Sequence, residues 1–184
     1  MKKQFLLLAV LALFIFACDS PNGGAAYSVG DTGPAGGIVF YDKGNSSGGW
    51  RYLEAALSDL PIAQWASPSV NVPTVDYSLG GGKVNTVAIV AALDAASQTG
   101  RAAQLCADYV FGGMDDWYLP NMQELAQMYT QRVAIGGFAA AYYWSSNQNA
   151  TTQTNAQCRD FSADNWNPYP KSSYYSVRPI RQFK

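Results

Sequence analysis

The side chains that could do chemistry are few, and their types narrow the choice at once. The chain has three cysteines and no histidine. Without histidine it lacks the commonest general base, the Ser-His and Cys-His nucleophile systems and the commonest metal ligand. No catalytic residue, metal site or cofactor is therefore expected. Cys18 is the nucleophile that stands out. It follows Ile15-Phe16-Ala17 at the end of an apolar run from Phe5, and Met1-Lys2-Lys3 precedes that run. About a dozen apolar residues fall short of the ~20 that a spanning helix needs, so the run reads as a signal h-region over residues 1–17. A small residue directly before a cysteine at that point is the lipobox pattern, although Phe16 is bulky for its slot. The expectation is cleavage before Cys18 and lipidation of its sulfur; the alternative is an ordinary secretory signal cut elsewhere. At ~0.8 kcal/mol per buried methylene, several alkyl chains on Cys18 anchor a protein effectively for good. The anchor is then the only membrane contact, and the expected location is the cell envelope, exposed at the surface.

Cys106 and Cys158 remain after Cys18. An oxidising compartment permits a bridge between them, but spacing alone does not place their Cα atoms within the required ~4.4–6.8 Å, and the pairing stays open. Arg178 and Arg181 lie three apart and would face opposite sides of a regular strand. One is expected to pair with an acid such as Glu124, Asp115 or Asp116 and hold the last strand to the core, the alternative being an anion-binding guanidinium at the surface. Asp115-Asp116 and Asp160/Asp164 could supply hard oxygens to calcium. The Glu-Pro-Asn or Gln-Pro-Asp tripeptide of sugar-binding lectins is missing, so no metal site is assigned.

Residues 147–176 are the most informative stretch. They contain no Leu, Ile, Val or Met, and Asn, Thr, Ser, Gln and Tyr dominate. Flat amphipathic rings with short amides and hydroxyls are the chemistry of a paratope. Arg159, Trp166, Tyr169, Tyr174 and Tyr175 are the candidate anchors. Asn147, Asn149, Thr151, Asn155, Asn165 and Asn167 are the candidate adaptable surround. The plainer alternative is a solvated polar loop region.

These residues need a scaffold. About 167 residues remain after the signal, enough for one domain with a substantial core. Loss of Lys2 and Lys3 turns 12 basic side chains into 10 against 13 acids, a net of about −3. Such a balance argues against a nucleic-acid partner. Residues 18–29 read as a flexible tether and residues 30–184 as the domain. Residues 38–41 and 50–54 are expected to form a hairpin, and 57–83 a long, partly ordered excursion. A helix is expected over 84–96, with Asn85 near its start as cap and Val87, Val90, Ala91 and Leu93 on its apolar side. A second helix follows over 101–109. A third is capped by Asn121, with Glu124 completing the capping box and Leu125, Met128 and Tyr129 as its apolar face. After Gly136-Gly137 the pattern turns to strands over 142–145, 158–161 and 174–183, with Pro179 marking an edge or bulge.

Four segments carry a resemblance: GDTGPAGGIVFYD (30–42), DWYLP-x-x-x-EL (116–125), YWSS (143–146) and VRPIR (177–181). Together they resemble the Lcl C-terminal domain family, named after the C-terminal domain of a collagen-like surface adhesin. The resemblance implies a C-type-lectin-like α+β fold, with a small twisted antiparallel sheet, two or three helices and long loops. Trp117, Leu119, Pro120, Leu125 and Trp144 then read as core, Glu124 as a cap. The fold is also that of formylglycine-generating enzymes, but their cysteine pair has no counterpart here. The layout of 147–176 between fixed segments resembles the variable proteins of diversity-generating retroelements. The expected function is a surface-anchored lectin-like lipoprotein that binds a protein or glycan partner through the 147–176 face. A structural envelope lipoprotein without a dedicated ligand is the rival.

Overall fold

The computed structural model describes residues 26–72 and 76–184. The signal segment and Cys18 lie outside them. The hairpin forms as expected from β1 (Ile38–Asp42) and β2 (Tyr52–Ala55). The excursion contains an unforeseen strand, β3 (Leu60–Gln64). Four helices follow: α1 (Gly82–Ala95), α2 (Ala102–Ala107), α3 (Met122–Thr130) and the single turn α4 (Arg132–Ile135). The last half of the domain supplies β4 (Tyr142–Gln148), β5 (Asn155–Asp160), β6 (Asn165–Pro170), β7 (Tyr174–Val177) and β8 (Ile180–Phe183). The architecture is α+β. Its strands form two sheets, ordered β1-β2-β8 and β3-β7-β4-β5-β6, and β4 and β7 pair in parallel through Tyr143 and Ser176.

Most of residues 147–176 is sheet, not loop. The strand expected over 174–183 is in fact two, with Pro179 at the break and one strand in each sheet. The packed domain also reaches back into the expected tether. Tyr27 sits edge-on against Tyr52 and Phe183 at 5.4 and 5.1 Å, and its N–H donates to the Tyr52 hydroxyl at 3.2 Å.

α1 corrects half of the face assigned to it. Leu93 is buried and Val90 half-buried against the core, as expected, and Ile89 is buried with them, whereas Val87 is 67 % exposed and Ala91 is exposed as well. Alternating apolar positions gave this helix two apolar sides, and periodicity did not say which would meet the sheet. Asn85 does not cap it either. Gly81 holds the cap position, and the Asn85 amide bonds the Asp76 backbone at 2.6 and 2.7 Å, fastening the approach to the helix. α3 follows the sequence closely: Asn121 Oδ1 accepts from Glu124 N at 2.9 Å, and Glu124 Oε2 accepts from Asn121 N at 2.7 Å.

The four sequence segments meet in the interior. Arg181 donates to Glu54 and Asp116 at 2.6 Å each. Glu54 in turn accepts from the Ala35 and Gly37 N–H groups. The glycines of GDTGPAGG let the backbone close over this carboxylate: a Cβ on Gly33 would overlap Glu54, and one on Gly37 would lie 2.5 Å from the Ala55 carbonyl oxygen. Arg178 binds Asp59 at 2.6 Å and the Ala56, Gly136 and Gly137 carbonyls, so both arginines are buried struts and neither is a surface anion site. Trp117 and Trp144 are core, and Trp144 Nε1 donates to the Ala63 carbonyl at 2.8 Å.

Candidate functional site

The ribbon β5–β6 carries the centre of the 147–176 stretch, with Arg159 opposite Trp166 and Ala156 opposite Tyr169. Trp166 and Tyr169 are three apart on one strand and face opposite sides of the sheet. β6 is an edge strand, which is what tolerates Pro168 and Pro170 and their missing donors.

On one side, the Arg159 guanidinium lies between two rings, 4.6 Å from the Tyr129 centroid and 4.9 Å from that of Trp166. It also pairs with Asp164. Arg159 is therefore buried, contrary to its expected role as an exposed anchor; a guanidinium that stacks well on two aromatic faces is covered by them. Its effect is to hold Trp166 in place. The half-buried Trp166 forms one wall of a groove of about 280 Å³ whose other walls are Tyr77 and the α3 residues Met122, Gln123 and Ala126. Trp166 is thus rigidly held on one face and open on the other.

On the opposite side Tyr142, Tyr169 and Tyr175 form a triangle of rings with centroids 4.9 to 5.3 Å apart. Trp144 supports Tyr175 from below at 4.9 Å. A hydrogen bond with Tyr169 and the neighbouring Asp160 push the Tyr142 phenol up to about 12. Tyr142 was not foreseen as part of the surface, because its YWSS context read as scaffold. Tyr174, 60 % exposed, stands at the start of β7.

The polar residues divide. Asn147 is fully buried: its Oδ1 accepts from Met122 N at 2.7 Å, at the start of α3, so it is an internal cap and not part of an adaptable surround. Asn149 spends its carbonyl on Thr151 N and Thr152 N at 3.0 and 2.6 Å and shapes the β4–β5 turn. Thr151 and Asn165 are exposed, and Asn155 and Asn167 are half-buried, so these four remain available. Lys171, which no pattern in the sequence singled out, is fully buried; its Nζ donates to Val70 O at 2.6 Å and Gln148 Oε1 at 2.5 Å.

Of the four acids that could supply oxygens to calcium, Asp115 is exposed and the other three are otherwise engaged. Asp116 is held by Arg181 and Asp164 by Arg159, while Asp160 accepts from Ser162 N and Oγ at 2.8 and 2.6 Å. No three carboxylate or thiol groups among the described residues are placed to hold one metal ion. Cys106 and Cys158 are both buried free thiols in the same core cluster, and burial pushes both well up from the usual thiol range.

Residues 63–181 match the Lcl C-terminal domain. The chain belongs to that family. The match opens in β3 and closes in β8, so it holds the DWYLP, YWSS and VRPIR segments and stops short of GDTGPAGG. The Glu54–Arg181 bond nonetheless ties that earlier turn into the Lcl C-terminal domain as one packed unit. No curated protein matches the chain.

Proposed function

We propose that this Lcl C-terminal domain is displayed on the cell envelope by a lipid on Cys18 and binds a protein or glycan partner through the β5–β6 edge and the start of β7. The observation that carries the reading is the Trp166 arrangement: a large ring fixed by a stacked arginine yet left open onto a groove beside exposed amides and hydroxyls. Binding energy concentrates in a few rigid aromatic anchors, and a ring whose ordering is settled before the partner arrives loses little entropy on contact. Trp166, Tyr169, Tyr174 and Tyr175 serve as anchors; Thr151, Asn155, Asn165 and Asn167 form the surround. The lack of histidine supports binding over catalysis. Lipidation is supported by the Ala17-Cys18 junction after the apolar run, and no helix among the described residues is long and apolar enough to cross a membrane.

The test is titration of the detergent-solubilised protein against cell-surface extracts fractionated into protein and glycan, with circular dichroism as the folding control. Trp166→Ala should weaken binding by about 2 kcal/mol with the fold intact, and Asn167→Ala by less than about 1 kcal/mol. Normal binding by a folded Trp166→Ala variant would place the contact elsewhere. Cys18→Ser should move the protein out of the detergent phase; unchanged mass and partitioning would rule out lipid at that sulfur.

A further inference from the structure

α1 is apolar on two sides, and the core covers one of them. Ile89 and Leu93 are buried, while the opposite side carries Val84 and Val87, 61 % and 67 % exposed. Ala91 and Ala95 are exposed on the same side, and Ala88 is half-buried among them. At about 100° per residue these five fall in one stripe about 100° wide and about three turns long. The charged side chains of the helix are Lys83 and Asp94, and neither interrupts the stripe. A helix that is apolar all round is ordinarily covered all round.

The two charges say what the cover is. Lys83 and Asp94 stand eleven positions apart, close to three full turns, so they border the same side of the stripe at its two ends. Lys83 joins none of the ion pairs among the described residues. Gln104 Nε2 donates to Asp94 Oδ1 at 3.0 Å, which orients that carboxylate and leaves Oδ2 open. An antiparallel second copy of α1 brings the partner's Asp94 to Lys83 and the partner's Lys83 to Asp94, about a two-fold axis level with Ala88 and Ile89. A parallel copy would set lysine on lysine and aspartate on aspartate. Small Ala88 lies at the axis and lets the backbones approach, while Val87 meets the partner's Ala91 on either side of it.

We infer that α1 pairs antiparallel with α1 of a second copy of this chain, forming a two-fold dimer. The same patch serves on both copies, as closed two-fold symmetry requires. The valines and alanines supply the contact, and the Lys83–Asp94 pairs fix its direction. Three turns of helix offer less than the ~800 Å² per partner of a standard interface, so the pair is weak and reversible. This interface is separate from the Trp166 edge and does not rest on the partner proposed there.

The test is sedimentation velocity of the full-length protein in density-matched non-ionic detergent, kept in excess over protein, with circular dichroism as the folding control. Reversible dimerisation is expected, with a dissociation constant on the order of 10–100 µM. Lys83→Asp and Asp94→Lys each turn two attractions into two repulsions, and each should weaken the dimer at least about tenfold. Mixed in equal amounts, these two variants regain opposite charges at both contacts and should associate as the wild type does. Val87→Glu, which puts a charge into the seam from an exposed position, should leave the protein monomeric. Trp166→Ala should leave the dimer unchanged. A wild type that stays monomeric, folded Lys83→Asp, Asp94→Lys or Val87→Glu proteins that dimerise like the wild type, a mixture no better than its components, or loss of the dimer in Trp166→Ala would each overturn the inference.

Discussion

Lys171 offers a sharp test of the packing described above. Its side chain is fully buried, its ammonium is held by a carbonyl and an amide oxygen, and it sits 4.7 Å from the Trp65 ring centroid. No carboxylate is among these partners. Burial lowers its proton affinity from the usual 10.5 to about 8. At about 1.4 kcal/mol for each tenfold change in proton affinity, holding the charge inside the folded protein costs up to about 3 kcal/mol. The cost is fully present below pH 8, where folded and unfolded chains both carry the proton. Between about 8 and 10.5 the unfolded chain keeps a proton that the folded one has released, so stability rises with pH through that window. Buried thiols and phenols titrate nearby with the opposite sign, and comparison with Lys171→Met cancels them because they occur in both proteins. Urea denaturation of the two proteins at intervals from pH 7 to 10 is the assay. The wild type should gain on the variant as pH rises, by up to about 3 kcal/mol. A difference that stays flat across this range would show that the ammonium is solvated and the burial argument wrong.

Glu124 should behave as its acidic mirror image. Burial raises it to about 7, against hydrogen bonds from Asn121, Tyr118, Gly80 and Gly82 that favour the ionised form. The folded chain therefore holds a proton between about 4.5 and 7 that the unfolded chain has lost, and stability should fall as pH rises through that interval. Glu124→Gln should remove that slope, seen as melting temperature against pH, while costing about 1–3 kcal/mol because its amide faces donors. Asn147→Ala should destabilise the fold by about 1–3 kcal/mol by stranding the Met122 N–H, whereas exposed Thr151→Ala should stay within about 0.5 kcal/mol in the same denaturation experiment.

Local signals in the sequence were read well where one residue decides the outcome. Asn121 and Glu124 predicted the start of α3 because a capping box is complete within four residues. The hairpin of β1 and β2 was legible from its turn and its aromatic and β-branched residues. What was not legible depends on distant partners. β3 pairs with β7, and nothing near Leu60 or Ile62 announces a strand that arrives more than a hundred residues later. Arg159 and Asn147 have the composition of surface residues, but each is buried by a partner on α3, Tyr129 for the one and the Met122 N–H for the other. Of the aromatic members of the candidate edge, Trp166, Tyr169 and Tyr175 are half-buried and Tyr174 is exposed, and their division between two sheet faces could not be anticipated from ring size and polarity. Lys171 carries no local mark at all.

The break at Pro179 also bears on how the chain reaches its final shape. β7 closes one sheet between β3 and β4, and β8, two residues on, completes the other beside β2. Arg181 then reaches a carboxylate 127 positions earlier in the chain. Neither half can be finished from its own residues, because residues 174–183 serve as the fastener for both. Synthesis from the N-terminus must therefore pass Arg181 before the interior can lock. Until then, Glu54 has no guanidinium and the strand edges of β2 and β4 lie open. Folding dominated by such remote pairings is slow and leaves the nascent chain exposed for longer. A ribosome-stalled series truncated just before residue 174 would hold a protease-sensitive chain, and emergence of residues 174–183 would turn it resistant in one step.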